Sequence, residues 1–355
     1  MKETIISGIQ QIGIGVSNIY EARAWYRKYL GMDIKIFEEK ATADIMQPYT
    51  GGQPRKRHAM LAINVQGGGG FEIWQYEERI PLAPKFQVKA GDLGIFAVKI
   101  KSKNVQKAYN FMKDQKQDVF GFSKDPLNNE FFYVRDPFNN IFEIVTENSG
   151  FKDSGKVTGG VWGAIIGVSD IEKALQVYSG ILGYDKVVFD ETGKFDDLAA
   201  LPGGGETFRR VMLKFSKPVM GAFSHLLGPS TIELLQVNSR TPEKIYKERF
   251  WGDLGFIHLC YDIHGFEKLK EECKEKGFPF TVDSTLSNPE TFNMGVAAGS
   301  FSYIEDPDGT LIEFVETHRI PIIKKLGWYI DLRKRNPFKS LPDWLLGLIS
   351  FSKFK

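Results

Sequence analysis

QQIGIGVSNIYEARAWYRKYLGM, residues 10–32, returns as WGAIIGVSDIEKALQVYSGILGY, residues 162–184. In both stretches apolar residues alternate, a Ser-Asn or Ser-Asp pair stops the alternation, and a helical pattern follows that ends in Leu-Gly. Val16 falls on Val168, Asn18 on Asp170, Tyr26 on Tyr178 and Gly31 on Gly183. Alternation with a period of two predicts a strand. Asn18 and Asp170 stand where a side-chain oxygen can accept from the first turn of a helix. Gly31 and Gly183 stand where a helix ends in the left-handed region. Downstream, AMLAINV (59–65) and FEIWQY (71–76) close the first copy, and VMLKF (211–215) and TIELLQV (231–237) close its counterpart as further strands.

A second kind of copy opens at GDLGIFAVKI (91–100) and again at GDLGFIHLCYDI (252–263). Each is followed by a Lys-rich amphipathic pattern, NVQKAYNFMKDQ (104–115) or GFEKLKEECKEKG (265–277). The closing runs FFYVRDPFNNIFEIV (131–145) and FSYIEDPDGTLIEFV (301–315) share an Asp-Pro turn before a strand that carries one Glu. The order is therefore A, B, A′, B′, and the expected fold class is α+β, built from four βαβββ units. The polar, Gly-rich ENSGFKDSGKVTGG (147–160) is the natural linker. It divides the chain into 1–150, 151–318 and a tail, 319–355, whose basic residues surround the apolar run LPDWLLGLISF. Packing of that tail against the body is favoured over contact with a membrane, because the apolar run is short and its flanks only modestly basic.

The 46 basic residues nearly cancel the 44 acidic ones, so there is no broad electrostatic footprint for nucleic acid and a small molecule is the expected partner. Cys260 and Cys273 have no spacing that makes a metal knuckle or a disulfide framework; both read as buried thiols of a reducing compartment. The opening MKETIISGIQQIGIGV puts charge and Gln where a signal peptide needs an unbroken apolar run, and no stretch is long and apolar enough for a membrane span. The expected location is the cytoplasm. GGGG (67–70) and GGG (203–205) lack the strand-to-helix setting of a phosphate loop. His58, within RKRH, reads as part of a solvated charge run, His264 and His318 as peripheral, and Phe250 and Trp251 as packing residues.

Each unit closes on a strand with a Glu among apolar neighbours: Glu72, Glu143, Glu233 and Glu313. A carboxylate buried in such a strand is costly unless paired, protonated or bound to a cation, although any one of them could face solvent. The first strands place Gln11 in A, Ala97 in B, Gly163 in A′ and His258 in B′ at matching positions. A lone strand histidine is commonly structural, but His258 lies in the same unit as Glu313.

With these residues in place, positions 8 to 317 resemble the vicinal oxygen chelate superfamily, in which βαβββ modules pair into curved mixed sheets around a metal. GFIHLCYDI and IEDPDGTLIEFVE look most like the second module of glyoxalase I, and Gln11 and Glu72 match ligand positions of its first. Pairing of sequence neighbours would split the candidates into two incomplete sets, Gln11, Glu72 and Glu143 against Glu233, His258 and Glu313. Fused glyoxalase I enzymes pair outer with outer and inner with inner modules. That arrangement would unite Gln11, Glu72, His258 and Glu313 as metal ligands and leave a decayed inner set of Ala97, Glu143, Gly163 and Glu233.

The resemblance implies a divalent transition metal (zinc, nickel, cobalt, manganese or iron) and lyase or isomerase chemistry on a small carbonyl or hydroxy compound. Glu313, or else Glu72, would move the proton. No segment matches the family's glutathione-binding residues, and the loops QPYTGGQPRKRH (47–58) and STLSNPETFNMGVAAGS (284–300) are long. Two rivals stay open. An extradiol dioxygenase-like site needs two His and one Glu, and Gly163 stands where the second His belongs unless His225 substitutes. A metal-free binder of the bleomycin-resistance kind would use an apolar cleft, with Trp25, Trp74 and Trp162 as candidate walls.

Overall fold

The computed structural model describes residues 4–286, 292–293, 298–323 and 328–354. Unit A runs β1 (Ile5–Gly15), α1 (Ile19–Tyr29), β2 (Ile34–Thr42), β3 (Lys56–Ile63) and β4 (Gly70–Tyr76). Unit B follows as β5 (Gly94–Ser102), α2 (Val105–Asp114), β6 (Asp118–Lys124), β7 (Glu130–Arg135) and β8 (Ile141–Thr146). Unit A′ is β9 (Val161–Gly167), α3 (Ile171–Tyr178), β10 (Lys186–Gly193), β11 (Phe208–Lys214), the short α4 (Ser224–Leu227) and β12 (Thr231–Val237). Unit B′ is β13 (Gly255–His264), α5 (Phe266–Glu275), β14 (Val282–Asp283), β15 (Phe292–Asn293), β16 (Ala298–Glu305) and β17 (Leu311–Ile323). β18 (Trp328–Asp331) and α6 (Asp343–Gly347) belong to the tail.

The local signals act as their chemistry requires. Asn18 accepts from the amides of Tyr20 and Glu21, and Asp170 from that of Lys173, at the starts of α1 and α3. Gly31, directly past the cap of α1, takes φ +67°, whereas Gly183, at φ +81°, closes a turn beyond Tyr178, where α3 already ends; a side chain would resist either conformation.

The units pair across the chain. One sheet has the order β14-β16-β17-β13-β1-β4-β3-β2, with β15 on β16 and β18 on β17, and so joins A to B′. The other, β10-β11-β12-β9-β5-β8-β7-β6, joins A′ to B. The seam of the first is the antiparallel pair β1–β13, with Gln11 opposite Cys260 and Gly13 opposite His258. The seam of the second is β5–β9, with Lys99 opposite Gly163 and Ala97 opposite Ile165. In both, the strand bearing the unit's Glu runs parallel to a seam strand.

Alternation then divides the side chains between two faces. Phe71, Ile73, Phe142, Ile144, Ile232 and Leu234 go to one large core with the buried faces of α1, α2, α3 and α5. Glu72, Glu143, Glu233 and Glu313 point the other way, into a cup on each sheet. They are 9, 2, 0 and 6% exposed, so none faces solvent.

The tail packs on the body. Leu332, Leu341, Leu345 and Leu346 are buried against Ile34, Leu61, Ile63, Val65 and Leu226. The Lys35 amide donates to Ser352 O at 2.8 Å and the Phe354 amide to Asp33 O at 3.0 Å, which covers the free edge of β2. Among the described residues no helix is long and apolar enough to cross a membrane. Parts of the 284–300 loop and of the tail, residues 287–291, 294–297 and 324–327, lie outside the described residues.

Candidate metal centre

In the outer cup the β1–β13 seam brings Gln11 and His258 together, and β4 and β17 add a carboxylate from either side. Gln11 Nε2 lies 3.2 Å from Glu72 Oε2 and 3.5 Å from Glu313 Oε2. His258 Nε2 lies 3.1 Å from Glu313 Oε2 and 3.5 Å from Glu72 Oε2. One ligand-type atom from each of Glu72, His258 and Glu313 falls within 4.8 Å of the others. All four sequence candidates thus converge, from units at opposite ends of the chain.

Several polar atoms here are buried without a hydrogen-bond partner among the described residues: Gln11 Oε1 and both ring nitrogens of His258. His258 Nε2 nevertheless has the Glu313 carboxylate 3.1 Å away, so Gln11 Oε1 and His258 Nδ1 are the atoms left without any near partner. Polar groups left without partners deep in a protein are expensive. Two carboxylates, an amide oxygen and an imidazole are a donor set that fits a divalent transition metal; the imidazole disfavours calcium.

The walls fix the ring. The Trp251 ring lies over His258 with centroids 6.3 Å apart and planes 13° apart, and Tyr303 meets the ring edge-on at 5.5 Å. Gly13 lies beneath it: a Cβ there would come within 2.4 Å of His258 Cε1. Trp74, Tyr76, Met46 and Ile257 complete an apolar lining. Trp251 is a packing residue, as its sequence setting suggests, and what it packs on is the candidate ligand.

The charges act on one another at short range. Burial, reinforced by the Glu313 charge, pushes the Glu72 carboxyl up to about 7. Burial pushes Glu313 up, but its interactions with His258, Cys260 and Tyr303 together hold it below the ordinary carboxylate value. Burial would lower the His258 pKa, but Glu313 and Glu72 together raise it.

The inner cup has the same frame and different contents. Ala97 and Gly163 stand where His258 and Gln11 stand outside, and neither offers a donor. Lys99, at the position matching Cys260, places Nζ 2.7 Å from Glu143 Oε1 and 2.8 Å from Glu233 Oε2. Arg210, on β11, adds Nε at 2.7 Å from Glu233 Oε1, and its Nη1 lies 2.7 Å from Asp197 Oδ2. The inner carboxylates are therefore paired with fixed side-chain cations. Sequence reasoning missed Lys99 and Arg210, although two lysines in IFAVKIK and a buried arginine in FRRVML are visible irregularities in apolar strands.

The remaining histidines lie apart from the cluster. His225 is exposed on α4 and 2.8 Å from Asp343, so it does not supply the second imidazole of a dioxygenase-like site. His58 is 3% exposed, not solvated: β3 carries it inward, where its ring nitrogens lie 3.2 Å from Glu38 and 4.0 Å from Glu77. His264 and His318 flank Glu316 at 3.3 and 3.7 Å.

Comparison with known proteins gives a consistent frame. A family profile described as the Glyoxalase/Bleomycin resistance protein/Dioxygenase superfamily matches residues 8–144, and a second profile of the same description matches residues 164–291. Among solved structures, glyoxalase I from Zea mays aligns with a TM-score of 0.54 at 12% identity, covering 88% of this chain and 92% of that one. A dioxygenase candidate from Bacillus subtilis aligns with a TM-score of 0.57 at 13% identity, covering 99% and 97%. At such identities the likeness speaks to the fold alone. No curated protein matches the chain in sequence.

Proposed function

This chain belongs to the Glyoxalase/Bleomycin resistance protein/Dioxygenase superfamily, and from that premise we propose that its outer cup is the centre of a metal-dependent lyase or isomerase. The observation that supports this reading is the convergence of Gln11, Glu72, His258 and Glu313 with buried donor atoms left unpartnered. The two sequence halves, 1–150 and 151–318, are read as two domains that each lend one unit to each sheet.

Gln11, Glu72, His258 and Glu313 would hold a zinc, nickel, cobalt, manganese or ferrous ion. Such an ion supplies Lewis acidity toward a carbonyl or hydroxyl oxygen of a small substrate. The chain supplies the proton transfer. Glu313, favoured over Glu72, takes a proton from the carbon next to that oxygen and returns it to a neighbouring atom, so the reaction needs no oxidant. Trp74, Trp251 and Tyr303 exclude water from the cup, which strengthens the electrostatics within it.

The test is metal analysis of protein purified without chelator, beside His258→Ala. Stoichiometric transition metal in the wild type, lost in the variant with circular dichroism unchanged, is the expected result. A folded wild type with no metal and no affinity for any of the five ions would overturn the reading and favour the metal-free binder. A second prediction concerns a residue that ligates nothing. Gly13→Val puts methyl groups where the imidazole lies, and metal affinity is expected to fall roughly 10–100-fold, as when support of a ligand is lost. Competition with a fluorescent chelator measures it; unchanged affinity would mean that the ring is not held against β1.

A further inference from the structure

Lys99 and Lys101 are two residues apart on β5, so both leave the strand on one face, yet only Lys99 has carboxylates against its ammonium. Lys101 is 3% exposed. Among the described residues its Nζ makes one side-chain hydrogen bond, to Ser149 Oγ at 3.1 Å, and no ion pair. An ammonium has three protons to donate, and burying it with a single hydroxyl partner is costly. Burial pulls its pKa down to about 8, against the smaller opposing effect of Glu147.

This amine lines a groove of about 750 Å³ at the end of the second sheet where β9 and β12 begin and β5, β8 and β11 end. The groove is remote in the chain from the outer-cup ligands and shares no residue with them. Trp162, Phe215, Phe151 and Leu226 give it apolar walls. Lys214 also lines it, with Nζ 5.2 Å from the Trp162 ring centroid. Lys217 stands at the exposed rim, and the His225–Asp343 pair at another edge.

We propose that this groove is a binding site for a small organic carboxylate, its anionic end held by Lys101 with Ser149 and its apolar body laid between Trp162 and Phe215. A monoanion fits better than a phosphate ester, because Glu147 and Asp343 also line the groove and would repel a second negative charge. A carboxylate there would give the ammonium the acceptors that Lys99 already has.

Isothermal titration with benzoate and indole-3-acetate, each beside its neutral amide, tests this. The acids are expected to bind at least roughly tenfold more tightly than the amides, as a charge-assisted contact to a buried ammonium requires. Lys101→Met should remove that preference, and since it deletes a poorly partnered buried charge it should fold at least as well as the wild type. Glu147→Gln should tighten binding of the acids a fewfold. The proposal is overturned if neither acid binds saturably, if acids and amides bind alike, or if folded Lys101→Met keeps the preference. Loss of metal from the outer cup by His258→Ala leaves this expectation unchanged, so the two sites fail separately.

Discussion

Replacing Lys99 by methionine is expected to cost about 3–5 kcal/mol of fold stability at neutral pH, the usual penalty for removing one partner of a buried ion pair. The side chain is 1% exposed and lies between Glu143 and Glu233, themselves 2% and 0% exposed. Burial alone would lower the lysine pKa, but the two carboxylates hold it above its ordinary value. Three carboxylates, Glu143, Glu233 and Asp197, share the two cations Lys99 and Arg210. This excess explains why Glu143 is pushed to about 7 by burial while Glu233, with a cation on each oxygen, is held down to about 2.

The pH dependence follows from Glu233. A carboxyl whose folded pKa is depressed contributes stability that is present above its ordinary value of 4.5 and lost as the pH falls toward about 2. Lys99→Met has less of this to lose, so the gap between variant and wild type should narrow in acid. Urea unfolding at several pH values measures it. Adding Glu143→Gln to Lys99→Met should recover part of the loss by taking away one of the two carboxyls left without their ammonium. A single variant within about 1 kcal/mol of the wild type, the ordinary scale for a point mutation, would show that the ammonium does not hold this cup together.

The second large effect belongs to the outer cup. Positioned proton transfer contributes roughly 10²–10⁴-fold to a rate, so Glu313→Gln should lower turnover by that amount. The amide keeps an oxygen of the same reach, so metal content should fall much less than activity. Metal-loaded protein incubated with α-hydroxy carbonyl compounds in D₂O, followed by proton NMR, reads the transfer directly as deuterium uptake. If Glu72→Gln shows the loss and Glu313→Gln does not, the two carboxylates exchange roles. If neither slows uptake, carboxylate-mediated proton transfer is not the activity.

Much of this was legible because the determining interactions are local. The N-caps Asn18 and Asp170, the left-handed end at Gly31, and the alternation around each Glu follow from the geometry of single helices and strands, whereas α3 stops at Tyr178, short of Gly183. The duplicated pattern implies four βαβββ units, and resemblance to a known family singles out Gln11, Glu72, His258 and Glu313. His58 went astray for the opposite reason: its basic neighbours look solvated along the chain, whereas the register of β3 with β2 and β4 turns the ring inward toward Glu38 and Glu77.

The chain by itself determined the repeats and the strand faces, since each depends on spacing over a few residues. Only the tertiary structure decided that A joins B′ and A′ joins B, because the β1–β13 and β5–β9 seams are contacts between segments remote in sequence. It also decided the different fates of two equivalent cups. Lys99 lies opposite Gly163 and within reach of both Glu143 and Glu233 only in that register. An ammonium there pairs with both carboxylates of the inner cup, while the outer cup keeps His258 and Gln11 turned toward the carboxylates that flank them.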